Sequence, residues 1–110
     1  MTQEIARNRY LEMLKTAFGP DIMGYMDQDD VIEIMLNPDG RLFVETLSGK
    51  RATDTQVPED RSENIVKLVA AYKNDVADAK SPSVSTELPF HGARFQGWLP
   101  PVVNKPTFSI

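Results

Sequence analysis

The Asn-Pro-Asp-Gly sequence at residues 37–40 limits the possible fold more than any other stretch of this chain. Proline presets φ at the second position of a turn, and glycine completes the turn without steric cost. The preceding segment Val31–Leu36 is rich in β-branched and apolar residues, and the following residues 41–47 alternate in polarity. Two such segments around a tight turn predict an antiparallel β-hairpin, with Leu42 and Val44 on one face.

Two other stretches have apolar residues at the spacing of an amphipathic helix. The first helix is predicted to end at Gly19 and Pro20, because proline lacks a helical N–H, and a short segment follows at residues 22–26. The second helix is predicted over residues 58–76, where proline and two acidic residues suit the first turn. The apolar positions are Ile5, Tyr10, Leu11, Leu14 and Phe18 in the first helix, and Ile65, Leu68, Val69, Tyr72 and Val76 in the second.

Shorter alternating segments predict further strands at residues 50–56, 84–88, 93–99 and 107–110. Runs of strands with segregated helices are typical of α+β proteins. We therefore expect an α+β fold with a PAS-like, mostly antiparallel sheet packed by helices. The final predicted strand runs to Ile110, whereas natural termini are more often surface segments, so we expect this chain to be part of a longer protein.

Composition and charge exclude several classes of function. The 110 residues fit one domain, and the net charge of -4 gives no overall footprint for nucleic acid. The absence of cysteine excludes disulfides, thiolate zinc sites and thiol nucleophiles. The sequence has no secretory signal and no apolar run of membrane-spanning length, so we expect a cytoplasmic protein whose membrane attachment is at most peripheral.

The motifs of common catalytic and nucleotide-binding sites are absent from the sequence. No glycine opens a G-x-x-x-x-G-K-[ST] phosphate loop or a G-x-G-x-x-G fingerprint. The single histidine, His91, excludes zinc motifs that need a histidine pair, and its place in a predicted turn favours an exposed residue without a catalytic role. The cluster Asp27, Asp29 and Asp30 lacks the glycine and glutamate of a calcium loop, which favours a solvated loop. We therefore predict no catalytic residue and no metal site.

Two further groups of side chains have a functional interpretation beside a structural one. Phe90, Phe95 and Trp98 lie near arginine and are either platforms for base stacking or, as strand aromatics more often are, core residues. Glu87 and Arg94 flank the turn that follows the fourth strand, and their structural interpretation is a cross-strand ion pair.

Two stretches of the sequence resemble a known family. Residues 30–45 read Asp-Val-Ile-Glu-Ile-Met-Leu-Asn-Pro-Asp-Gly-Arg-Leu-Phe-Val-Glu. Residues 88–103 read Leu-Pro-Phe-His-Gly-Ala-Arg-Phe-Gln-Gly-Trp-Leu-Pro-Pro-Val-Val, and Pro-Thr-Phe-Ser-Ile follows at 106–110. With the intervening helix they resemble, in order and along nearly the whole chain, the amino-terminal domain of the secretion-superfamily traffic ATPases of conjugal transfer and type IV secretion.

The resemblance implies a homohexameric ATPase whose subunits join an α+β amino-terminal domain, here residues 1–110, to a RecA-like ATPase domain that this chain lacks. ATP and Mg2+ are expected between the two domains of the full-length protein, and hydrolysis is expected to power conjugative DNA transfer or secretion. The implied partners are the RecA-like domain, neighbouring subunits and the inner-membrane transfer machinery. The 110-residue chain alone is expected to hold no cofactor and to catalyse nothing.

Arg94 is the residue that the resemblance assigns to nucleotide binding. It matches the family's arginine that approaches bound nucleotide, and a guanidinium suits that role because it stays charged and offers a planar fork to phosphate oxygens. An ion pair with Glu87 stays open as the alternative. A second function, from a different class, is a standalone PAS-like sensor or adaptor that binds a small ligand or a partner protein.

Overall fold

A computed structural model describes residues 2–110, with side chains from residue 5 onward. These residues form two helices and six strands. In chain order they are α1 (Thr2–Met26), β1 (Val31–Leu36), β2 (Arg41–Thr46), β3 (Gly49–Gln56), α2 (Glu59–Tyr72), β4 (Ser83–Glu87), β5 (Arg94–Trp98) and β6 (Thr107–Ser109). All the strands predicted from the sequence are present, within one or two residues at their ends.

The six strands form one antiparallel sheet in the order β3-β2-β1-β6-β5-β4. The predicted hairpin is confirmed, with Met35 opposite Phe43 and Leu36 opposite Leu42. The last strand, β6, lies between β1 and β5 and joins two hairpin units that are distant in sequence. The predicted α+β fold with an antiparallel sheet is therefore confirmed.

One face of the sheet carries the core, and both helices pack against that face. The alternating residues Ile34, Leu36, Val44, Phe95 and Phe108 are buried and belong to one cluster with the apolar side chains of both helices. Burying a side chain of this size contributes about 1.5–3 kcal/mol each. Within the described residues, neither helix offers an apolar stretch long enough to cross a lipid bilayer.

The predicted interruption of the first helix is confirmed. Gly19 has φ 79° and ψ 166° inside α1, and Pro20 follows it, so the backbone changes direction between two helical segments. A positive φ of this kind favours glycine because it has no Cβ. Phe18 and Ile22, on either side of the break, are fully buried, so the change of direction lets both segments face the core.

Arg61 of α2 satisfies the backbone groups that the break at Gly19 leaves free. Its Nε donates to the carbonyl of Ala17 at 3.3 Å, and one terminal nitrogen donates to the carbonyl of Phe18 and to Asp21 Oδ1, the latter at 3.0 Å. Helix ends need such partners because their last carbonyls have no intrahelical donor. The guanidinium thereby fastens α2 to the bend of α1.

The contact with Arg61 lowers the pKa of the Asp21 carboxyl. Burial by itself raises the pKa of Asp21, but the hydrogen bond and charge of Arg61, with the backbone N–H of Ile22, more than offset the burial. The pKa of the carboxyl therefore lies below its ordinary value, and the ionised form is the one that folding stabilises.

The residues that α2 buries differ in part from the apolar positions predicted from the sequence. Helix α2 ends at Tyr72, so Val76 lies beyond it with 64% of its surface exposed. The helix also buries positions outside the predicted set, and two of these have small side chains. The buried residues of α2 are Ser62, Ile65, Val66, Val69 and Ala70.

Gly97→Ala is expected to destabilise the fold. Gly97 lies on β5 beneath α2, where an added Cβ would lie 2.8 Å from Phe95 Cε1 and 3.0 Å from Val66 Cγ2. Overpacking of this kind costs about 1–3 kcal/mol. Urea unfolding followed by the fluorescence of Trp98 should show a lower midpoint. Gly24→Ala is the matched control, since nothing lies within 4 Å of its added Cβ, and equal midpoints for the two variants would contradict the packing argument.

Asp21→Asn is expected to flatten the acid dependence of stability. Because the pKa of Asp21 is lowered in the folded state, its contribution is present above the unfolded pKa of about 3.9 and is lost as pH falls through the folded pKa. The wild type should therefore lose more unfolding free energy than Asp21→Asn between about pH 5 and pH 2. Asp54→Asn, at an exposed position on β3, should keep the wild-type slope. Parallel slopes for wild type and Asp21→Asn would refute the role of this carboxylate.

Candidate functional site

A groove lies between β1 and β5 where β6 ends. Ser109 of β6 pairs with Met35 on one side and with Gln96 on the other. Ile110 then exchanges two backbone hydrogen bonds with Ile34, at 2.8 and 2.9 Å. Beyond that point the facing edges of β1 and β5 enclose a volume of about 640 Å³. The groove therefore lies in line with β6, in the space between β1 and β5.

Arg94 lies at this groove. It is the first residue of β5, it is exposed, and it lines the volume together with Glu33 of β1. Its neighbour Phe95 points into the core, so alternation along the strand places the Arg94 side chain on the face of the sheet away from the helices. The structure thus puts the predicted nucleotide-binding residue on an open surface.

Glu87 and Arg94 are cross-strand partners in the β4–β5 ladder, as the sequence predicts. Side chains from residue 5 onward form three ion pairs, and Glu87 with Arg94 is not among them. Within residues 5–110, no carboxylate therefore forms an ion pair with the guanidinium of Arg94.

Polar side chains extend the surface beside Arg94. Ser85, Gln96 and Ser109 occupy one cross-strand row on the open face, and all three line the groove. Two hydroxyls and an amide can donate hydrogen bonds to oxygen atoms, as the guanidinium does. The surface suits an oxygen-rich anionic group at its Arg94 end.

His91 and Asp27 connect the turn before β5 to the end of α1. The two side chains meet at 2.8 Å, between Nε2 and Oδ1. His91 has φ 60° and Gly92 has φ 59°, so the turn bends through left-handed backbone conformations. In the portion of the chain with described side chains, no three His, Asp or Glu groups converge as a metal site.

The base-stacking interpretation of the aromatic residues is wrong for Phe95. Its side chain is fully buried and stacks on Phe108, with ring centroids 5.5 Å apart. Phe90 is half-buried and packs edge-on against Phe18 at 5.9 Å. Trp98 lies at the opposite end of β5 from Arg94. These aromatics therefore stabilise the core or lie apart from the groove, because strand alternation sends neighbours to opposite faces.

Sequence reasoning missed Arg61 and Glu33. A signal for Arg61 was present, because the helix break at Gly19 frees backbone carbonyls that need a donor from elsewhere. Glu33 had no such signal. It reaches the groove because β6 brings β1 and β5 to the same part of the sheet, and that strand order follows from no local pattern.

The chain is similar over its whole length to conjugal transfer proteins. It is 39% identical over 110 residues to the probable conjugal transfer protein TrbB of Sinorhizobium fredii (strain NBRC 101917 / NGR234), and 40% identical over 111 residues to the conjugal transfer protein TrbB of Rhizobium radiobacter. It spans about a third of the length of these relatives, 34% of each. These relatives confirm the resemblance to conjugal transfer proteins that the sequence motifs indicate. No protein-family model matches the chain.

A solved structure supports the fold independently. The VirB11 ATPase from the Brucella suis type IV secretion system, determined in complex with sulphate, superposes with a TM-score of 0.83. The match covers 96% of this chain and 32% of that protein, at 20% sequence identity. At this level of identity the likeness establishes the fold, which is that of one segment of the VirB11 chain.

Proposed function

We propose that this chain is the amino-terminal domain of a longer conjugal transfer ATPase, in which a RecA-like ATPase domain follows it. The observation that supports this proposal most is the similarity of all 110 residues to only 34% of the TrbB proteins. The domain would help to form the ring of a homohexamer on the cytoplasmic side of the inner membrane, attached peripherally to the transfer machinery. ATP hydrolysis by the longer protein would power conjugative DNA transfer or type IV secretion.

In this proposal ATP and Mg2+ are bound mainly by the RecA-like domain. The groove presents a guanidinium and three polar side chains, whereas the sequence has no glycine-rich loop whose backbone N–H groups would cradle phosphates. A guanidinium can bind a phosphate through two parallel hydrogen bonds, which orient it, but it supplies only part of the contacts that a nucleotide site needs. The domain is thus suited to complete a nucleotide site from outside.

Arg94 is proposed as the residue that completes that site. It is exposed on the open face, it has no ion-pair partner among residues 5–110, and it is the first residue of β5, a strand paired with β4 and β6. An arginine placed by a rigid element can stabilise phosphate charge when the two domains close.

The 110-residue chain alone is expected to show no turnover of ATP with Mg2+ and only very weak nucleotide binding. The reason is that most phosphate contacts are missing from this chain. A coupled phosphate-release assay on the purified chain, with the longer protein as positive control, measures this. Metal-dependent hydrolysis by the 110-residue chain would refute the division of roles, and a reading frame that stops after Ile110 would favour the standalone sensor or adaptor.

Arg94→Ala in the longer protein is expected to lower the rate of ATP hydrolysis at least about tenfold, because a hydrogen bond to a charged group contributes about 1.5–3 kcal/mol. Arg94→Lys should recover part of the rate, since lysine keeps the charge and loses the fork. Arg51→Ala is the matched control. Arg51 is an exposed arginine on β3, at the far edge of the sheet, and its loss should leave the rate unchanged. Identical rates for Arg94→Ala and wild type would remove Arg94 from the site.

A further inference from the structure

We propose that two copies of this chain pair through the first part of α1, with the two helices antiparallel about a two-fold axis. The contact surface consists of the amino-terminal arm, which is residues 5–13 of α1, and of the hollow between α1 and α2 that adjoins it. This pairing is separate from the proposed nucleotide site, because α1 covers the core face of the sheet whereas Arg94 lies on the open face.

The arm carries apolar side chains that the fold leaves uncovered. Ile5 and Met13 each have 50% of their surface exposed. Among the residues of α1 with described side chains, Leu14 is the first that belongs to the core cluster, and neither Tyr10 nor Leu11 packs against that cluster. A helix in a protein owes most of its stability to the packing of its apolar face, so the arm lacks the contact that would stabilise it.

Four residues of α1 form a seam that is symmetric in side-chain size. Ala6, Tyr10, Met13 and Ala17 follow one another at spacings of four, three and four, which places them on one face of the helix. Their sizes run small, large, large, small. An antiparallel copy therefore sets Ala6 against Ala17 and Tyr10 against Met13, and each contact occurs twice. The central pairs are favourable because a thioether sulfur attracts an aromatic ring.

The hollow between α1 and α2 extends this seam. It has a volume of about 350 Å³ and adjoins the arm at Met13. In the antiparallel arrangement Ala6 of one copy lies at Ala17 of the other, so the neighbouring Ile5 comes close to Leu68 of α2. Each Ile5 thereby gains an apolar contact that its own chain does not supply. The hollow is lined by Glu12, Met13, Thr16, Ala17, Asn64 and Leu68.

The charged residues beside the seam favour the antiparallel arrangement. Arg9 lines the exposed surface of the arm, and Glu12 lines the hollow. With Ala6 opposite Ala17, Arg9 of one copy and Glu12 of the other are offset by two residues, or about 3 Å along the helix axis. A long arginine side chain spans that offset, whereas a parallel pair would set Arg9 against Arg9. Such a self-complementary surface is what a two-fold contact requires.

The contact is small and differs from the contacts of a ring. About ten residues of each copy take part, whereas standard interfaces use about 20–30 on each side, so we expect a dissociation constant above about 10 μM for the 110-residue chain. A six-fold ring is closed by head-to-tail contacts, which a two-fold contact does not provide. In the proposed hexamer the arms would therefore connect subunits of two different rings.

Sedimentation equilibrium of the 110-residue chain, from about 10 μM to about 1 mM, tests the pairing. The wild type should shift from monomer to dimer as its concentration rises. Met13→Glu should raise the dissociation constant at least about tenfold, because the contact would then bury an unpaired charge. Val102→Glu is the matched control. Val102 is 61% exposed in the loop between β5 and β6, outside both helices, and its replacement should leave the dissociation constant unchanged.

Exchange of the charged residues tests the register. Arg9→Glu and Glu12→Arg should each weaken the dimer at least about fivefold, since each sets like charges opposite one another at two places. An equimolar mixture of the two variants should recover the affinity of the wild type, because both pairs between the copies then join opposite charges. An effect confined to a single helix could not produce this recovery.

Several results would overturn the proposal, and none of them depends on ATP hydrolysis. A chain that stays monomeric over the whole concentration range, or a dimer that Met13→Glu leaves intact, would mean that the arm does not join two copies. A mixture of Arg9→Glu and Glu12→Arg that associates as weakly as its components would exclude the antiparallel register. If the monomeric chain instead bound vesicles of phosphatidylethanolamine and phosphatidylglycerol, and Met13→Glu abolished that binding, a lipid surface would be the occupant of the arm.

Discussion

The hydrogen bonds of Arg61 to the bend in α1 hold the helical layer together. Gly19 and Pro20 interrupt α1, and the carbonyls exposed there would otherwise be left without donors in a partly buried position. The guanidinium supplies the donors and draws Asp21 into the same contact. Because α2 carries Arg61, the bend in one helix fixes the position of the other, and both helices can cover the same face of the sheet.

The one-sided core explains where the candidate site lies. Both helices pack on the face that carries Phe95 and Phe108. On the same strands, the residues that alternate with these buried ones point to the opposite, open face. Arg94 belongs to that second set, and its side chain is exposed although the next residue is fully buried. The charge of Arg94 therefore stays in contact with water and costs little desolvation, although the residue lies beside the core.

The proposed function assigns one part of a nucleotide site to this chain and the rest to another part of a longer protein. The groove offers directional donors but no backbone cradle, which is what a surface that completes a pocket from outside would contain. The similarity to about a third of the TrbB proteins has the same implication, since the remaining two thirds leave room for an ATPase domain.

The sequence by itself determined the local elements. The turn at residues 37–40, the break at Gly19 and the alternation of apolar residues act over a few neighbours, and the structure has the corresponding hairpin, bend and strands. The tertiary structure alone decided the buried face of α2, the place of β6 between β1 and β5, and the groove that brings Glu33 near Arg94. These features depend on close packing and strand pairing between segments far apart in the chain, and such long-range contacts leave no periodic signal in the sequence.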